Sequence, residues 1–197
     1  MIDLDQTMTI AEEKGAHFLP LGVERRSVYG AHLDLVAGQH QVPALGHHML
    51  TIWAGGPVDF DVETCLVQER PVVRSAPEDI LFTTSGYRLN VGLRDPKTYP
   101  GGRRQPEAKG FTLLFPTHLL HSKFEEVTQK ERDPSAIMQG LVARPTEQFR
   151  AVSRALRIEF YAQRAKTASM FDALTDALLF ELARMYENAK RTMARAR

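Results

Sequence analysis

The sequence predicts an α+β fold in which a small antiparallel β-barrel is followed by a C-terminal pair of amphipathic helices. Short β-type runs follow one another from Val23 to about Arg94, and Gly and Pro residues separate them at nearly regular intervals, which is typical of a barrel or sandwich. After Pro116 the apolar period changes from two residues to about 3.6, which marks the start of a helical part. We therefore expect an N-terminal arm over residues 1–20, the barrel over 21–115 and a helical region over 116–197.

The barrel strands show alternation of apolar and polar residues. Val58, Phe60 and Val62 alternate with acidic residues, so this strand is expected to have one face in water. The run from Met49 to Trp53 is apolar at most positions and could be buried on both faces, so the barrel interior is expected to be either a core or a pocket. The expected strands are 26–37, 47–54, 58–67, 72–74, 80–84, 87–93 and 111–115.

Two segments lack the pattern of a strand or a helix. Residues 1–20 mix polar and apolar side chains and end in Phe18, Leu19 and Pro20, so we expect an arm whose order depends on what it contacts. Residues 94–110, RDPKTYPGGRRQPEAKG, are rich in proline, glycine and charge and predict a long loop.

The helical region begins at Pro116, which is tolerated in a first helical turn because its missing N–H has no partner there. Apolar residues then recur at helical spacing as far as about Val127. Asp133 and Pro134 begin a further segment, which is either a short helix or a loop. The next helix is expected over residues 146–165.

The last helix is expected from Ser169 to about Ala189, where Ser169 and Asp172 have the spacing of a capping-box variant. Its apolar surface is broader than one packing partner requires, which favours pairing with a second copy of the chain. The alternative is that the barrel covers both sides of the helix. The residues expected in the dimer interface are Phe171, Leu174, Leu178, Leu182 and Met185.

Composition excludes several classes of function. The chain has 25 Lys and Arg against 24 Asp and Glu, so its net charge of +1 provides no general attraction for a nucleic-acid backbone. The longest apolar runs are far shorter than the roughly 20 residues of a membrane span, and the acidic N-terminus does not have the pattern of a signal peptide. The single cysteine, Cys65, agrees with a reducing compartment. We expect a cytoplasmic protein that does not bind membranes.

The histidines do not have the spacing of a metal site. A barrel metal centre places two imidazoles on one face of a strand, usually as His-x-His, with a carboxylate a few residues later. His47 and His48 are adjacent, so on a strand they would point to opposite faces. Gly-x-Ser-x-Gly, P-loop and dinucleotide motifs are absent, and Cys65 has no neighbouring histidine in the sequence. We therefore expect no catalytic residue, metal or cofactor.

A small-molecule pocket is the remaining hypothesis. Such pockets are mainly apolar with a few polar groups, and a barrel interior has a suitable shape. Ordinary core or rim packing is the alternative for each residue. The residues that combine an apolar body with a polar tip, and that we expect to bind a ligand, are His32, His48, Trp53, Tyr87 and Arg88.

Three segments, HHMLTIWAGGPVDFDV, SAPEDILFTTSGYRLNVGL and FTLLFPTHLLHSKFEEV, together resemble the N-terminal cupin-like domain of AraC-type transcription regulators. The matching features are His48 at the start of a strand, the turns at Pro77-Glu78-Asp79 and Thr84-Ser85-Gly86, and the step from strand to helix at Phe115-Pro116. The C-terminal segments are similar to the helices that pair subunits in this family. In the turn at residues 77–79, Pro-Glu-Asp replaces the usual glycine-bearing sequence.

The resemblance implies a barrel of the jelly-roll type that binds a small effector and a helical region that forms a homodimer. Regulators of this family continue with two helix-turn-helix units, and this chain stops at Arg197, where that half would begin. DNA is therefore expected to be contacted only through a helix-turn-helix half that this chain lacks. The chain is expected to be either a sensor half cut from a longer regulator or a stand-alone relative.

Two alternatives to a sensor domain follow from the same barrel. One is a cupin-type metal-dependent enzyme, an isomerase or dioxygenase, which would carry bound iron, manganese or zinc. The other is an interaction module whose barrel is filled and which forms a dimer without binding a ligand.

Overall fold

The computed structural model describes residues 18–20, 28–35, 38–42, 45–54, 58–64, 72–75, 77–86, 89–93, 108–129, 141–162 and 168–195. In this part of the chain a set of antiparallel strands is followed by helices, as the sequence predicts. The helices are α1 (Thr117–Thr128), α2 (Glu147–Tyr161) and α3 (Ala168–Arg195). The strands are β1 (Phe18–Pro20), β2 (Tyr29–Leu35), β3 (Gly38–Val42), β4 (His48–Trp53), β5 (Val58–Thr64), β6 (Val72–Ser75), β7 (Ile80–Thr83), β8 (Leu89–Leu93), β9 (Ala108–Phe115) and β10 (Leu141–Ala143).

The strands form two antiparallel sheets. The larger sheet has six strands in the order β1-β2-β9-β4-β7-β10, and the smaller has four in the order β3-β8-β5-β6. In the smaller sheet Phe60 pairs with Leu93 and Val62 with Val91, so the apolar positions of the predicted alternation are in register with apolar positions of the next strand. The strand predicted at 58–67 is thus confirmed over Val58–Thr64, and residues 65–67 lie outside the described residues.

The core lies between the larger sheet and the three helices. Successive side chains of a strand point to opposite faces, so alternate residues of β4, β7 and β9 form one apolar surface against the helices. Packing of the Phe111 ring against Phe160 of α2, with centroids 5.1 Å apart, is one such contact. We call this the helix-covered face. Its strand residues in the core are Leu50, Ile52, Ile80, Phe82, Phe111, Leu113 and Phe115.

The opposite side of the same sheet is also largely buried. We call it the second face. Tyr29 and Leu33 are partly exposed, and the other described members on the central strands and β2 are buried: Ala31, Met49, Thr51, Trp53, Leu81, Thr83, Gly110, Thr112 and Leu114. All six residues of β4 are buried, which confirms the expectation that the run from Met49 to Trp53 is covered on both sides.

The helices begin where local signals place them. Pro116 has an extended backbone and immediately precedes α1. Thr146 caps α2 because its hydroxyl accepts a hydrogen bond from the Phe149 N–H. Helix α3 contacts both α1 and α2. In the part of the chain that the structure describes, no helix is both long enough and apolar enough to cross a membrane.

Three strands lie outside the predicted set. Strand β1 belongs to the predicted N-terminal arm and pairs with β2. Strand β3 follows β2 and pairs with β8, where the sequence predicted one strand over 26–37 and then a break. Strand β10 comes from the region predicted to be helical or looped, and it extends the larger sheet by pairing with β7.

Candidate ligand-binding site

The residues predicted to line a pocket are divided between the two faces of the larger sheet. His48 pairs with Phe115 and lies on the helix-covered face, whereas Trp53 pairs with Gly110 and lies on the second face. His32 pairs with Phe111 and therefore also lies on the helix-covered face. The structure does not bring these two histidines together with Trp53. The other two predicted residues, Tyr87 and Arg88, lie outside the described residues.

His48 is held as part of the core. It is fully buried, and its ring lies 5.4 Å from the ring of Phe82 and 5.7 Å from that of Phe115, measured between centroids. Its Nδ1 accepts a hydrogen bond from the Ser85 backbone N–H at 3.0 Å. This bond joins strand β4 to the turn after β7, so the imidazole ties two parts of the sheet together. These contacts give His48 a structural role in the core of the protein.

His32 connects strand β2 to the end of helix α2. Its Nδ1 and the Tyr161 hydroxyl are 2.5 Å apart, and the two rings make an edge contact. Tyr161 is itself 51% exposed. This pair fixes the last turn of α2 against the larger sheet at the protein surface.

Trp53 lies on the second face together with a row of threonines. Its ring is buried and approaches strand β9 at Gly110, where a Cβ would lie 3.6 Å from Trp53 Cε3 and 3.2 Å from Thr51 Cγ2. Beyond Trp53 along the sheet, the hydroxyls of Thr51 and Thr112 are 3.0 Å apart and hydrogen-bond each other. Gly110 thus lies against both Thr51 and Trp53, and a side chain at this position would crowd the Thr51 methyl group.

Thr83 lies on the same face in strand β7, where it pairs with Met49. Its hydroxyl is buried and has no hydrogen-bond partner among the described residues. A buried hydroxyl that lacks a partner costs about 1–3 kcal/mol, so such groups are usually satisfied by another side chain, by water or by a ligand. Thr83 therefore marks a position on the second face where a polar atom would be stabilising.

The described strand residues of the second face are uncharged, and the buried Asp79, whose carbonyl oxygen accepts from the Trp53 N–H, lies beside Trp53 just before β7. The strand residues have aromatic, aliphatic or hydroxyl side chains. A surface with an indole ring, apolar walls and a few hydroxyls matches the general composition of small-molecule sites. We take the second face around Trp53, Thr51, Thr112 and Thr83 as the candidate site.

The threonines were not among the residues predicted from the sequence. The signal that could have identified them is the alternation in β4, where Met49, Thr51 and Trp53 share one face and His48 and Leu50 the other. That alternation by itself separates Trp53 from His48. It does not show which face the helices cover.

A turn beside Trp53 carries an ion pair to helix α2. The Glu78 carboxylate accepts hydrogen bonds from Arg154, with Nη2 to Oε2 at 2.8 Å and Nε to Oε1 at 2.5 Å. The hydrogen bond from Arg154 lowers the pKa of Glu78, burial opposes this effect, and the charges of Arg154, Arg150 and Arg157 lower it further. Burial lowers the pKa of His47 at the other end of β4.

In the part of the chain that the structure describes, no three His, Cys, Asp or Glu side chains are grouped in a way that could hold a metal ion.

The residues predicted at a dimer interface lie in the core of the chain itself. Phe171, Leu178 and Leu182 are buried, and Leu174 and Met185 pack against the same core while partly exposed. Among the described residues, the exposed large apolar side chains lie instead near the end of α2 and the start of α3. They are Ile158 at 65%, Tyr161 at 51% and Met170 at 48% exposure.

Comparisons with known proteins identify structural relatives only. No protein-family model matches this chain, and no curated protein matches it in sequence. The crystal structure of the AraC-like transcriptional activator CuxR is similar, with a TM-score of 0.54 and 12% sequence identity over 89% of this chain and 58% of the CuxR chain. A putative ethanolamine utilization protein of Salmonella typhimurium has a TM-score of 0.34 and 11% identity over 51% of this chain and 68% of its own. Fe(II)-HppE has a TM-score of 0.38 and 9% identity over 51% of this chain and 48% of its own.

The similarity to CuxR concerns the fold, and it supports the cupin-like fold predicted from the sequence. This chain spans 58% of the length of that activator.

Proposed function

We propose that this chain is the sensor domain of a transcription regulator, which binds a small effector on the second face of its larger sheet. The observation that carries the proposal is the similarity to an AraC-like activator over 89% of the chain, a share that includes sheets and helices alike. A barrel followed by helices provides a binding part and an output part in one unit. The proposal assigns binding, and no catalytic step, to this chain.

The effector is an uncharged molecule with at least one hydrogen-bonding group. The described strand residues of this face are uncharged and would solvate an ion poorly, and the buried Asp79 carboxyl beside Trp53 disfavours an anion in particular. The Thr83 hydroxyl can donate to or accept from the effector, and the Trp53 ring provides a flat apolar surface. Sugars, amides and neutral aromatic alcohols all belong to this class.

The output part is a surface formed where helices α2 and α3 meet. Its exposed apolar members are Ile158, Tyr161 and Met170, and Ala173 is exposed on the next turn of α3. We propose that a second copy of the chain contacts this surface, because the residues first predicted for dimerisation are largely used in the chain's own core. DNA would be contacted through a helix-turn-helix half outside this sequence.

Thermal unfolding against a panel of neutral metabolites tests the binding proposal. A ligand that binds only the folded state raises the melting temperature. We expect at least one compound to raise it for the wild type and to have a smaller effect on Thr83→Val, which keeps the shape of the side chain and removes the hydroxyl.

Thr175→Val is the matched control, because Thr175 is also buried but lies on helix α3. The control should respond to the compound as the wild type does. The proposal is contradicted if no neutral compound shifts the melting temperature, or if the two variants lose the response equally.

A further inference from the structure

The turn at residues 77–79 departs from the glycine-bearing sequence of the resembling family, and the structure shows what its glutamate does. Glu78 has a φ of 73°, in the left-handed region that favours glycine and disfavours a side chain with a Cβ. The backbone of Glu78 therefore adopts a conformation that glutamate seldom takes. Contacts of its side chain and of its neighbours hold it there.

The backbone of this turn is bonded directly to Trp53. The Glu78 N–H donates to the Trp53 carbonyl oxygen at 2.7 Å, and the Trp53 N–H donates to the Asp79 carbonyl oxygen at 3.0 Å. A displacement of the Trp53 backbone must therefore move the turn or break one of these bonds. The turn lies at the end of the candidate ligand-binding site.

The side chain of Glu78 is bonded to helix α2. Arg154 binds both carboxylate oxygens, and Arg150 Nε lies 3.6 Å from Oε2. The carboxylate is only 19% exposed, whereas the Arg154 side chain is 49% exposed. Two parallel hydrogen bonds from one guanidinium fix the orientation of the glutamate as well as its position.

These contacts form a continuous connection from Trp53 through Glu78 to Arg154. Breaking the ion pair would remove one of the contacts that hold Glu78 in the left-handed region, and its φ could then return to negative values, which would give the turn a second arrangement. Coupling between sites requires an element with two such arrangements, each favoured by a different condition.

We propose that the ion pair between Glu78 and Arg154 couples the ligand site at Trp53 to helix α2, so that displacement at one end is transmitted to the other. This inference rests on the proposed function for the identity of the site. Helix α2 carries Ile158 and Tyr161 of the exposed apolar surface, so the coupling would connect effector binding with the surface proposed for pairing.

Trp53 is the single tryptophan of the chain, so its fluorescence reports on this site alone. The test measures acrylamide quenching of the full chain without any effector. We expect Glu78→Gln and Arg154→Lys each to raise the quenching constant about twofold or more, because the strand end is no longer held by α2. The double variant should show no further increase, since both changes break one connection.

Two further variants separate the coupling from general stability. Glu147→Gln removes another carboxylate that pairs with Arg150, but it leaves the turn at residues 77–79 unchanged. Its quenching constant should therefore equal that of the wild type. Glu78→Gly removes the carboxylate and suits the left-handed backbone, so it should raise quenching without lowering the melting temperature.

The proposal is overturned if Glu78→Gly and Arg154→Lys both have the quenching constant of the wild type. It is also overturned if Glu147→Gln raises the quenching constant as much as those two variants do. Arg154→Lys decides the test if Glu78→Gln does not fold, because it keeps the charge on an exposed helix position and loses only the paired hydrogen bonds. The metabolite melts address binding separately, so either proposal can fail while the other stands.

Discussion

The hydroxyls of Thr51 and Thr112 hydrogen-bond across strands β4 and β9 at 3.0 Å, and the Thr83 hydroxyl on the neighbouring strand β7 has no partner among the described residues. All three are buried on one face of one sheet. The two situations differ in energy, because a satisfied hydroxyl contributes to stability and an unsatisfied one detracts from it.

Replacing Thr112 and Thr83 by valine should therefore have different effects on the free energy of unfolding. Thr112→Val breaks the hydrogen bond with Thr51 and should lower the free energy of unfolding by about 1 kcal/mol. Thr83→Val removes a hydroxyl without a described partner and should leave the free energy of unfolding unchanged or raise it. Urea denaturation of the ligand-free protein measures both values. Equal losses in the two variants would show that the Thr83 hydroxyl is bonded in the folded chain.

Removal of metal ions should not affect the protein. The Nδ1 atom of His48 already accepts a hydrogen bond from Ser85, and its ring is packed against Phe82 and Phe115. We expect metal analysis of the purified chain to find iron, manganese and zinc well below one ion per chain, and EDTA to leave the melting temperature unchanged. Near-stoichiometric metal that is required for stability would instead favour the cupin-type enzyme.

The Glu78 carboxylate should make stability depend on acid pH. Its pKa is lower in the folded protein than its ordinary value of 4.5, chiefly because of the hydrogen bond from Arg154, so folding favours the charged form. The resulting stabilisation is present above about pH 4.5 and is lost as the pH falls through the lower, folded pKa.

Glu78→Gln should consequently reduce the loss of stability between pH 5 and pH 3, compared with the wild type. Urea denaturation at a series of pH values measures this slope. Glu147→Gln is the control, because the Glu147 side chain is 70% exposed in its pair with Arg150, and exposed ion pairs contribute little to stability. A slope that Glu147→Gln reduces as much as Glu78→Gln does would contradict the prediction.

Self-association should depend on the exposed surface where α2 and α3 meet. Ile158→Lys and Met170→Lys place a charge at positions that are 65% and 48% exposed, so they should weaken a dimer without lowering the melting temperature of the monomer. Ala151→Lys is the control, since Ala151 is also exposed on α2 but lies nearer its N-terminal end. Sedimentation equilibrium measures the dissociation constants. A wild type that stays monomeric at tens of micromolar would contradict dimerisation, and equal effects of all three changes would place the interface elsewhere.

Local signals predicted much of this fold. Alternation identified β5, a run of apolar residues identified β4, and the change of period after Pro116 identified the helices. Strand β10 has only three residues and exists because it pairs with β7, which lies about sixty residues earlier in the chain, so no local pattern indicates it. Strand β3 was not predicted, because Gly38 indicated a break and the segment GQHQV contains only one apolar residue, Val42.

The candidate site was less accessible to sequence reasoning. Trp53 was identified as a residue with an apolar body and a polar tip, but His48 was grouped with it although the two have opposite parity on β4. Which face of the sheet the helices cover depends on where α1, α2 and α3 pack, and this is a tertiary property. Glu78 was recognised as a departure from a glycine-bearing turn, whereas its partner Arg154 is distant in sequence and only the fold brings the two together.

The most direct measurement is an NMR titration that follows the threonine methyl groups while a neutral compound found in the melts is added. Binding at the second face should shift the methyl signals of Thr51, Thr83 and Thr112 in a saturable manner and leave that of Thr175 on helix α3 unchanged. Saturable shifts confined to threonines of the helices, with those three signals unmoved, would contradict an effector site on the second face of the larger sheet.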